Sequence, residues 1–328
     1  MKRLPITLNN AVDSGPKVVA LGGGHGLAST LTALRRMTDQ ITAVVGVADD
    51  GGSSGRLRSE FGILPPGDLR MALAALCGDD TWGRTWQRVI QHRFGGVGEL
   101  GGHSLGNLLI TALWEETGDP VIGLEWLGAL LEVQGRVLPC SVQPLEIVAQ
   151  VQGINAYAPE GVTEVRGQVE VATTPGKVVS IALEPVRPIA CPEAMLAVNE
   201  ADAIILGPGS WFTSVLPHLL IPDLAQAIVE SPAKRIVVLN LAPHEDQETA
   251  GIPVAEHLEF LRAAAPALRL DAVIADPRHV DDLDQLQASC AGLGAELILE
   301  QVAHSRGRHP GTHDPDRLSA AFRIALLG

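Results

Sequence analysis

Val18-Val19-Ala20-Leu21-Gly22-Gly23-Gly24-His25-Gly26-Leu27 is the stretch on which the fold turns. Its first four residues form a short apolar run, the mark of a buried strand, and from Leu27 the apolar positions Leu27, Leu31, Leu34 and Met37 recur at helical spacing. The unit is strand, glycine turn, helix. Glycine lets backbone approach a ligand with no Cβ in the way, and a helix start offers unpaired N–H groups at the positive end of its dipole, so such a turn can hold a phosphate. A strand packed tightly on its following helix has the same composition. The dinucleotide fingerprint is also incomplete: counting from Gly22 or Gly24 puts Leu27 or Ser29 at the third-glycine position.

The pattern recurs at Ile41 to Val47, an apolar β-branched run whose exit is Asp49-Asp50-Gly51-Gly52-Ser53-Ser54-Gly55. Successive strand residues point to opposite faces, so the two acids are expected to do different jobs, one meeting a ribose hydroxyl or a metal ion, the other a backbone N–H. Paired aspartates before Gly-Gly also make ordinary turns. Ser53, Ser54, Arg56 and Arg58 add hydroxyl and guanidinium groups suited to phosphate oxygens. Pro65-Pro66-Gly67-Asp68-Leu69-Arg70 announces another helix, with Arg70 placed either to reach a phosphate or to pair with a surface acid. The three segments read together as one phosphate-handling site.

Strand and helix patterns alternate to residue 130 and resume near residue 195, which predicts an α/β fold with a Rossmann-like, doubly wound, mostly parallel sheet. Residues 1–16 read as a tail and 17–328 as one domain carrying a β-rich insertion at about 136–190. Within it, Glu164 to Val171, the turn Pro175-Gly176-Lys177 and Val178 to Leu183 suggest a hairpin. After it, Ala203 to Leu206 runs into Gly207-Pro208-Gly209-Ser210 and the apolar segment Val215 to Ile221, and Arg235 to Leu239 ends at Asn240. Ligands of open α/β sheets lie beyond strand carboxyl ends where strand order reverses, and four exits here carry Gly, Asp or Asn.

At 328 residues and 46% hydrophobic content the chain can bury a sizeable core. Its net charge of −14 argues against a nucleic-acid or anionic-membrane surface, and 3% aromatic content against base-stacking platforms. Cys77, Cys140, Cys191 and Cys290 are far apart and form no Cys-x-x-Cys, which suits buried packing in a reducing cytoplasm. With no apolar leader after Met1-Lys2-Arg3-Leu4-Pro5 and no run of about eighteen apolar residues, a cytoplasmic location without membrane insertion is expected.

Other candidates are weaker. In Gly101-Gly102-His103-Ser104-Leu105-Gly106-Asn107, His103 or Ser104 can cap a helix and Asn107 can face a ligand. Neither His25 nor His103 has a carboxylate partner visible in the sequence. Ser210 and Thr213 can touch a nucleotide or cap the following helix. His244, Glu245, Asp246, Glu248 and His257 lack metalloprotease spacing and read as a solvated loop. His304, Arg306, Arg308, His309, His313 and Asp314 form the most basic stretch, a pocket lid or a tail.

Five motifs in order, at 18–27, 48–58, 65–70, 102–107 and 206–210, resemble the YvcK/CofD-like family on its putative gluconeogenesis factor branch, over roughly residues 17–325. That resemblance implies a cytoplasmic bacterial protein that binds UDP-sugars, notably UDP-N-acetylglucosamine. It also implies a link to gluconeogenic growth, cell-wall synthesis and cell shape, with no firmly attached reaction. Relatives on the other branch transfer a phospholactate-type group from a nucleotide-activated donor to a deazaflavin, using an aspartate-held metal ion. Carried over by motif and by the residue readings above, the ligand-binding set is Gly22, Gly23, Gly24, His25, Gly26, Asp49, Asp50, Gly51, Gly52, Ser53, Ser54, Asp68, Arg70, His103, Asn107, Gly207, Pro208, Gly209, Ser210 and Asn240. No cofactor is required on the first reading. On the transferase reading Asp49 and Asp50 hold Mg²⁺. The segment 241–249 departs from the family's Met-Thr-Gln-Pro-Gly-Glu-Thr, and 275–278 lacks the tyrosine expected to stack on uracil. A homodimer and cell-wall synthesis proteins are the expected protein partners. A nicotinamide dehydrogenase fits less well, because Asp49 lies 27 residues beyond Gly22 instead of about twenty.

Overall fold

The computed structural model describes residues 15–155, 157–158, 160–241, 249, 252–304 and 312–327. In chain order the first elements are β1 (Val18–Gly22), α1 (Gly24–Leu34), β2 (Ile41–Val45), α2 (Gly52–Phe61), α3 (Gly67–Leu76), α4 (Thr81–Gln91), α5 (Leu105–Thr117), α6 (Pro120–Leu131) and β3 (Arg136–Pro139). Then come β4 (Glu146–Gln152), β5 (Val162–Arg166), α7 (Gln168–Ala172), β6 (Lys177–Glu184), α8 (Pro192–Asn199) and β7 (Ala203–Leu206). A π-helical turn (Trp211–Val215) leads into α9 (Leu216–Leu219), α10 (Pro222–Glu230), β8 (Lys234–Val238), α11 (Val254–Ala264) and β9 (Ala272–Ala275). A short turn (Pro277–His279), α12 (Leu283–Leu293), β10 (Glu296–Leu299) and α13 (Pro315–Leu327) complete the chain.

The apolar runs become one seven-stranded sheet in the order β10-β9-β8-β7-β1-β2-β3, each neighbouring pair parallel. Strands covered on both faces must be apolar along their length, and every residue of β1, β7 and β9 is buried. Val18 is in register with both Ile41 and Ala203, so β1 is central. From it the chain builds outward to β2 and β3 on one side and to β7 through β10 on the other. Strand order therefore reverses between β1 and β7, and the carboxyl ends of those two strands bound the crevice.

Two expectations need correction. Strand and helix do not alternate up to residue 130, because five helices, α2 to α6, separate β2 from β3. The expected hairpin between 164–171 and 178–183 does not form either. Arg136–Pro139 is the edge of the large sheet, and β5 and β6 each pair antiparallel with β4, giving the separate order β5-β4-β6. Gly167, at φ 95°, turns the chain out of β5, and residues 168–172 coil into α7. Among the described residues no single helix is long and apolar enough to cross a membrane.

The two sides of the reversal touch through glycine. A Cβ on Gly26 would overlap the Pro208 carbonyl and come within 2.9 Å of the Gly209 Cα, both backbone atoms that have nowhere to go. Gly26→Ala is therefore expected to destabilise the protein by about 1–3 kcal/mol, the usual cost of overpacking. Gly95→Ala, whose added methyl meets nothing within 4 Å, should be close to neutral. Urea midpoints of the two variants make the comparison, and equal midpoints would disprove the close approach.

Candidate functional site

Each strand exit at the reversal leads into a helix start, and cross-links between these starts assemble the site. Gly22 ends β1, and Gly23, in extended conformation, precedes α1 without supplying a side-chain cap. The cap comes from another helix. Gly24 N–H donates to the carboxylate of Asp68 in the first turn of α3. A Cβ on Gly23 would stand 2.5 Å from Asp68 Oδ2, so a larger residue there would displace that carboxylate. His25 is exposed beside them. Across the reversal, Thr30 Oγ1 donates to Gly207 O at 3.0 Å. Asn240, just beyond β8, clasps Gly209 twice: its Nδ2 donates to Gly209 O at 2.7 Å and its Oδ1 accepts Gly209 N–H at 2.8 Å. Ser210 caps the π-helical turn by accepting Thr213 N–H at 3.2 Å and shares a short hydroxyl hydrogen bond with Thr213. Gly207 to Ser210 are thus locked from both flanks, leaving little loop entropy to lose when a ligand binds.

The adjacent acids do part company, although both accept backbone N–H groups. Asp49 Oδ1 accepts Gly51 N–H at 3.0 Å, and its Oδ2 lies 2.6 Å from where a Cβ of Gly67 would be. Asp50 faces the small sheet and accepts Gln168 N–H at 3.0 Å and Val169 N–H at 3.1 Å, capping α7. Asp50, offered with Asp49 for a metal, has a backbone N–H on each of its carboxylate oxygens. Asp49 instead lies near enough to Asp68 for its charge to be felt there. Burial first, and the charge of Asp49 second, push the Asp68 carboxyl up to about 7, with Gly24 N–H and Arg70 opposing.

Behind these acids runs a buried chain of hydrogen bonds. Arg70, 4% exposed, donates from Nε to Asn107 Oδ1 (2.9 Å) and from Nη1 to Gln91 Oε1 (2.8 Å). Asn107 Nδ2 donates to Ser53 Oγ at 3.0 Å, and Ser53 Oγ lies 2.9 Å from His103 Nδ1. Burial lowers the Arg70 guanidinium to about 10, with Arg93 also lowering it and Asp68 and Asp49 opposing; it remains a cation. Neither His103 nor Ser104 caps α5 with its side chain. The first turns of α2, α3 and α5 are bound into one block.

Several contributors escaped the sequence reading. Gly67 sits within a quoted motif and could have been found there, since its Cβ would also overlap Ser54 Oγ. Gln91 and Thr30 are single polar residues on amphipathic helices and give no signal. Arg56 is occupied in holding the neighbouring loop, its Nη2 donating to Gly101 O at 2.8 Å. His244, Glu245, Asp246, Glu248, Arg306, Arg308 and His309 lie outside the described residues. His257 is buried beside Trp211, ring centroids 5.4 Å apart, and is not part of a solvated loop. His304 pairs with Asp314 at 3.3 Å, and His313 Nε2 lies 3.2 Å from Leu239 O, so both ends of the basic stretch are anchored. At the β9 exit, where an aromatic was missing, Asp276 is held well below the usual carboxylate range. Burial opposes this, but hydrogen bonds from the Arg278 side chain and from the backbone of Ala303 and Arg278 prevail. Among the described residues no group of three His, Cys, Asp or Glu is placed to hold a metal.

Residues 18–296 match the family model described as 2-phospho-L-lactate transferase CofD. A protein of Mycobacterium tuberculosis (strain ATCC 25618 / H37Rv) named putative gluconeogenesis factor is 50% identical over 310 residues, covering 93% of this chain and 89% of the relative. The gluconeogenesis factor of Bacillus subtilis (strain 168) is 35% identical, with 88% and 91% covered. The crystal structure of a UPF0052 family member from Bacillus halodurans superposes with a TM-score of 0.83 at 31% identity, covering 94% of this chain and 99% of that one.

Two outcomes follow from the acids. Asp68 has a folded pKa of about 7 against an ordinary 3.8, so the native state binds the proton more tightly. Stability then falls as pH rises from about 4 to about 7 and is level above. Asp68→Asn keeps an acceptor for Gly24 N–H and should flatten this slope, gaining up to about 4 kcal/mol at pH 8 and almost nothing at pH 4. Melting curves across pH decide it, and an unchanged slope in the variant would refute the assignment. Asp50→Ala should uncap α7 at a cost of about 1 kcal/mol and speed hydrogen exchange at Gln168 and Val169. Unchanged exchange there would mean that the cap is dispensable.

Proposed function

From the chain's membership of the CofD family, on its gluconeogenesis-factor branch, we propose that it is a nucleotide-sugar-binding regulatory protein. Its ligand is a UDP-sugar of the UDP-N-acetylglucosamine type, and its role is to support gluconeogenic growth and to tune cell-wall synthesis and shape without turnover. The observation that carries the reading is the meeting of two glycine turns, 22–26 and 207–210, across the strand reversal. Their backbones come too close for any Cβ at Gly26. A diphosphate laid there would meet the start of α1 beside a turn whose backbone Thr30 and Asn240 already hold in place. The polar block behind, from Arg70 to His103, supplies a cation and neutral donors on one wall. Association with cell-wall synthesis proteins and self-association into a homodimer belong to the same proposal.

A metal-dependent group transferase is the second reading, and the nearness of Asp49 to Asp68 favours it. A carboxyl raised to about 7 by burial and, after it, by the charge of a second carboxylate suits a proton or a hard divalent cation, and the oxygen donors of the two acids match Mg²⁺. Asp49 and Asp68, not Asp50, would hold the ion. The ion, when bound, would stabilise charge on a leaving phosphate.

Thermal-shift titration with UDP-N-acetylglucosamine, UDP-glucose, GTP and NAD, each with Mg²⁺ or chelator, separates the readings. A bound UDP-sugar at about 100 times its Kd should add about 2.7 kcal/mol of stability, in chelator as well as in Mg²⁺. A shift that needs metal, prefers GTP and disappears in Asp49→Asn would establish the transferase. No shift with either UDP-sugar would end the sensor reading.

A further inference from the structure

The hydrogen bonds around His103 determine which of its ring nitrogens carries the proton. Arg70 can only donate, so the Asn107 atom 2.9 Å from its Nε is the amide oxygen. The amide nitrogen of Asn107 is then the atom 3.0 Å from Ser53 Oγ, and it donates to that oxygen. Ser53 has one proton of its own, and the acceptor within reach of it among the described residues is His103 Nδ1, at 2.9 Å; donation there leaves no hydroxyl proton unused. Nδ1 is therefore an acceptor, and a neutral imidazole of this kind carries its hydrogen on Nε2. Burial, aided by Arg56 and Arg93 and opposed by Glu60, holds His103 below the ordinary histidine range, so the ring is neutral at pH 7. Nε2, across the ring from Ser53, makes no hydrogen bond among the described residues, although His103 is only 7% exposed.

Ser53 lies in the first turn of α2, whose N-terminus has no side-chain cap. That end carries positive dipole charge and free N–H groups. We infer that His103 presents Nε2–H as a directional donor to a phosphoryl oxygen of the bound nucleotide, and that Arg70, Asn107 and Ser53 are positioning residues that fix this tautomer. A group held this way is neither a metal ligand nor a general base through Nε2, since both roles need a lone pair there. The occupant rests on the nucleotide-sugar reading; the tautomer does not.

Asn107→Asp reverses the polarity of the chain at constant size. The new carboxylate accepts from both Arg70 and the Ser53 hydroxyl, Ser53 Oγ then accepts from His103 Nδ1–H, and Nε2 is left with a lone pair. Long-range nitrogen NMR of the ligand-free imidazole, assigned with His103→Gln, should report Nε2–H in the parent protein and Nδ1–H in Asn107→Asp. Ser53→Ala adds no charge and should give a mixture of tautomers. Calorimetric titration with UDP-N-acetylglucosamine and, in parallel, inorganic pyrophosphate should weaken about 10–100-fold in Asn107→Asp, the loss expected for a hydrogen bond to a charged group, and less in Ser53→Ala. A parent protein with Nδ1–H, or a tautomer indifferent to both substitutions, overturns the inference. So does undiminished pyrophosphate binding by both variants. If pyrophosphate binds as described and UDP-N-acetylglucosamine does not bind the parent protein, the nucleotide-sugar reading fails and the donor role of His103 stands.

Discussion

The contact between Gly26 and the Pro208–Gly209 backbone is the constraint on which the site depends. Strand order reverses between β1 and β7, and the two turns that leave those strands would diverge if Gly26 carried a side chain. With glycine there, α1 and the 207–210 turn close on each other, and Thr30 and Asn240 then fix the second turn by three hydrogen bonds to its backbone. Apolar strands that are buried from end to end hold the geometry from below. The crevice is therefore a product of sheet topology and of the absence of one Cβ, with the polar residues added to a backbone frame that already exists.

Helix starts gathered at one place create an electrostatic problem that the chain solves with its own acids. Positive helix ends and the buried Arg70 draw negative charge, and Asp68, Asp49 and Asp50 supply it. The three differ in what they settle. Asp50 caps a helix in the small sheet and so ties that sheet to the crevice. Asp49 closes its own turn. Asp68 takes Gly24 N–H, a donor that an incoming anion would also use, and feels the charge of a second carboxylate while doing so. Stability is thus sacrificed locally at the position where ligand chemistry is expected.

Much of this was legible in the sequence because it is local. Strand, glycine turn and helix occupy consecutive residues at 18–37, 41–61 and 203–221, and apolar runs for parallel strands need no partner to be recognised. The misreadings share one cause, which is that the deciding contact is remote in sequence. Residues 164–171 have the alternation of a strand, yet Gly167 breaks it and Asp50, 118 positions before Gln168, caps the helix that follows. β4 is the centre of the small sheet, and nothing in residues 146–152 distinguishes a centre from an edge. The chain from Gln91 through Arg70 and Asn107 to Ser53 and His103 joins four helices and a loop, and no spacing rule connects them. Asp68 was visible as a helix-start acid, whereas its partnership with another helix's N-terminus was not.

On the proposed reading, the raised Asp68 carboxyl also answers how a chain of net charge −14 would receive a diphosphate at an acidic crevice. A carboxylate with an ordinary pKa beside Gly24 would repel the phosphate at neutral pH. At a pKa of about 7 the group is half protonated there, so neutralising it for the ligand costs only about 0.4 kcal/mol, the free energy of choosing one of two equally populated forms. A divalent cation shared with Asp49 would achieve the same neutralisation. The sensor and transferase readings thus use one physical device and differ in what supplies the positive charge, a proton in the first and a metal ion in the second. Burial and, after it, the charge of Asp49 raise the Asp68 pKa, and on the proposed readings that would make the crevice receptive to either.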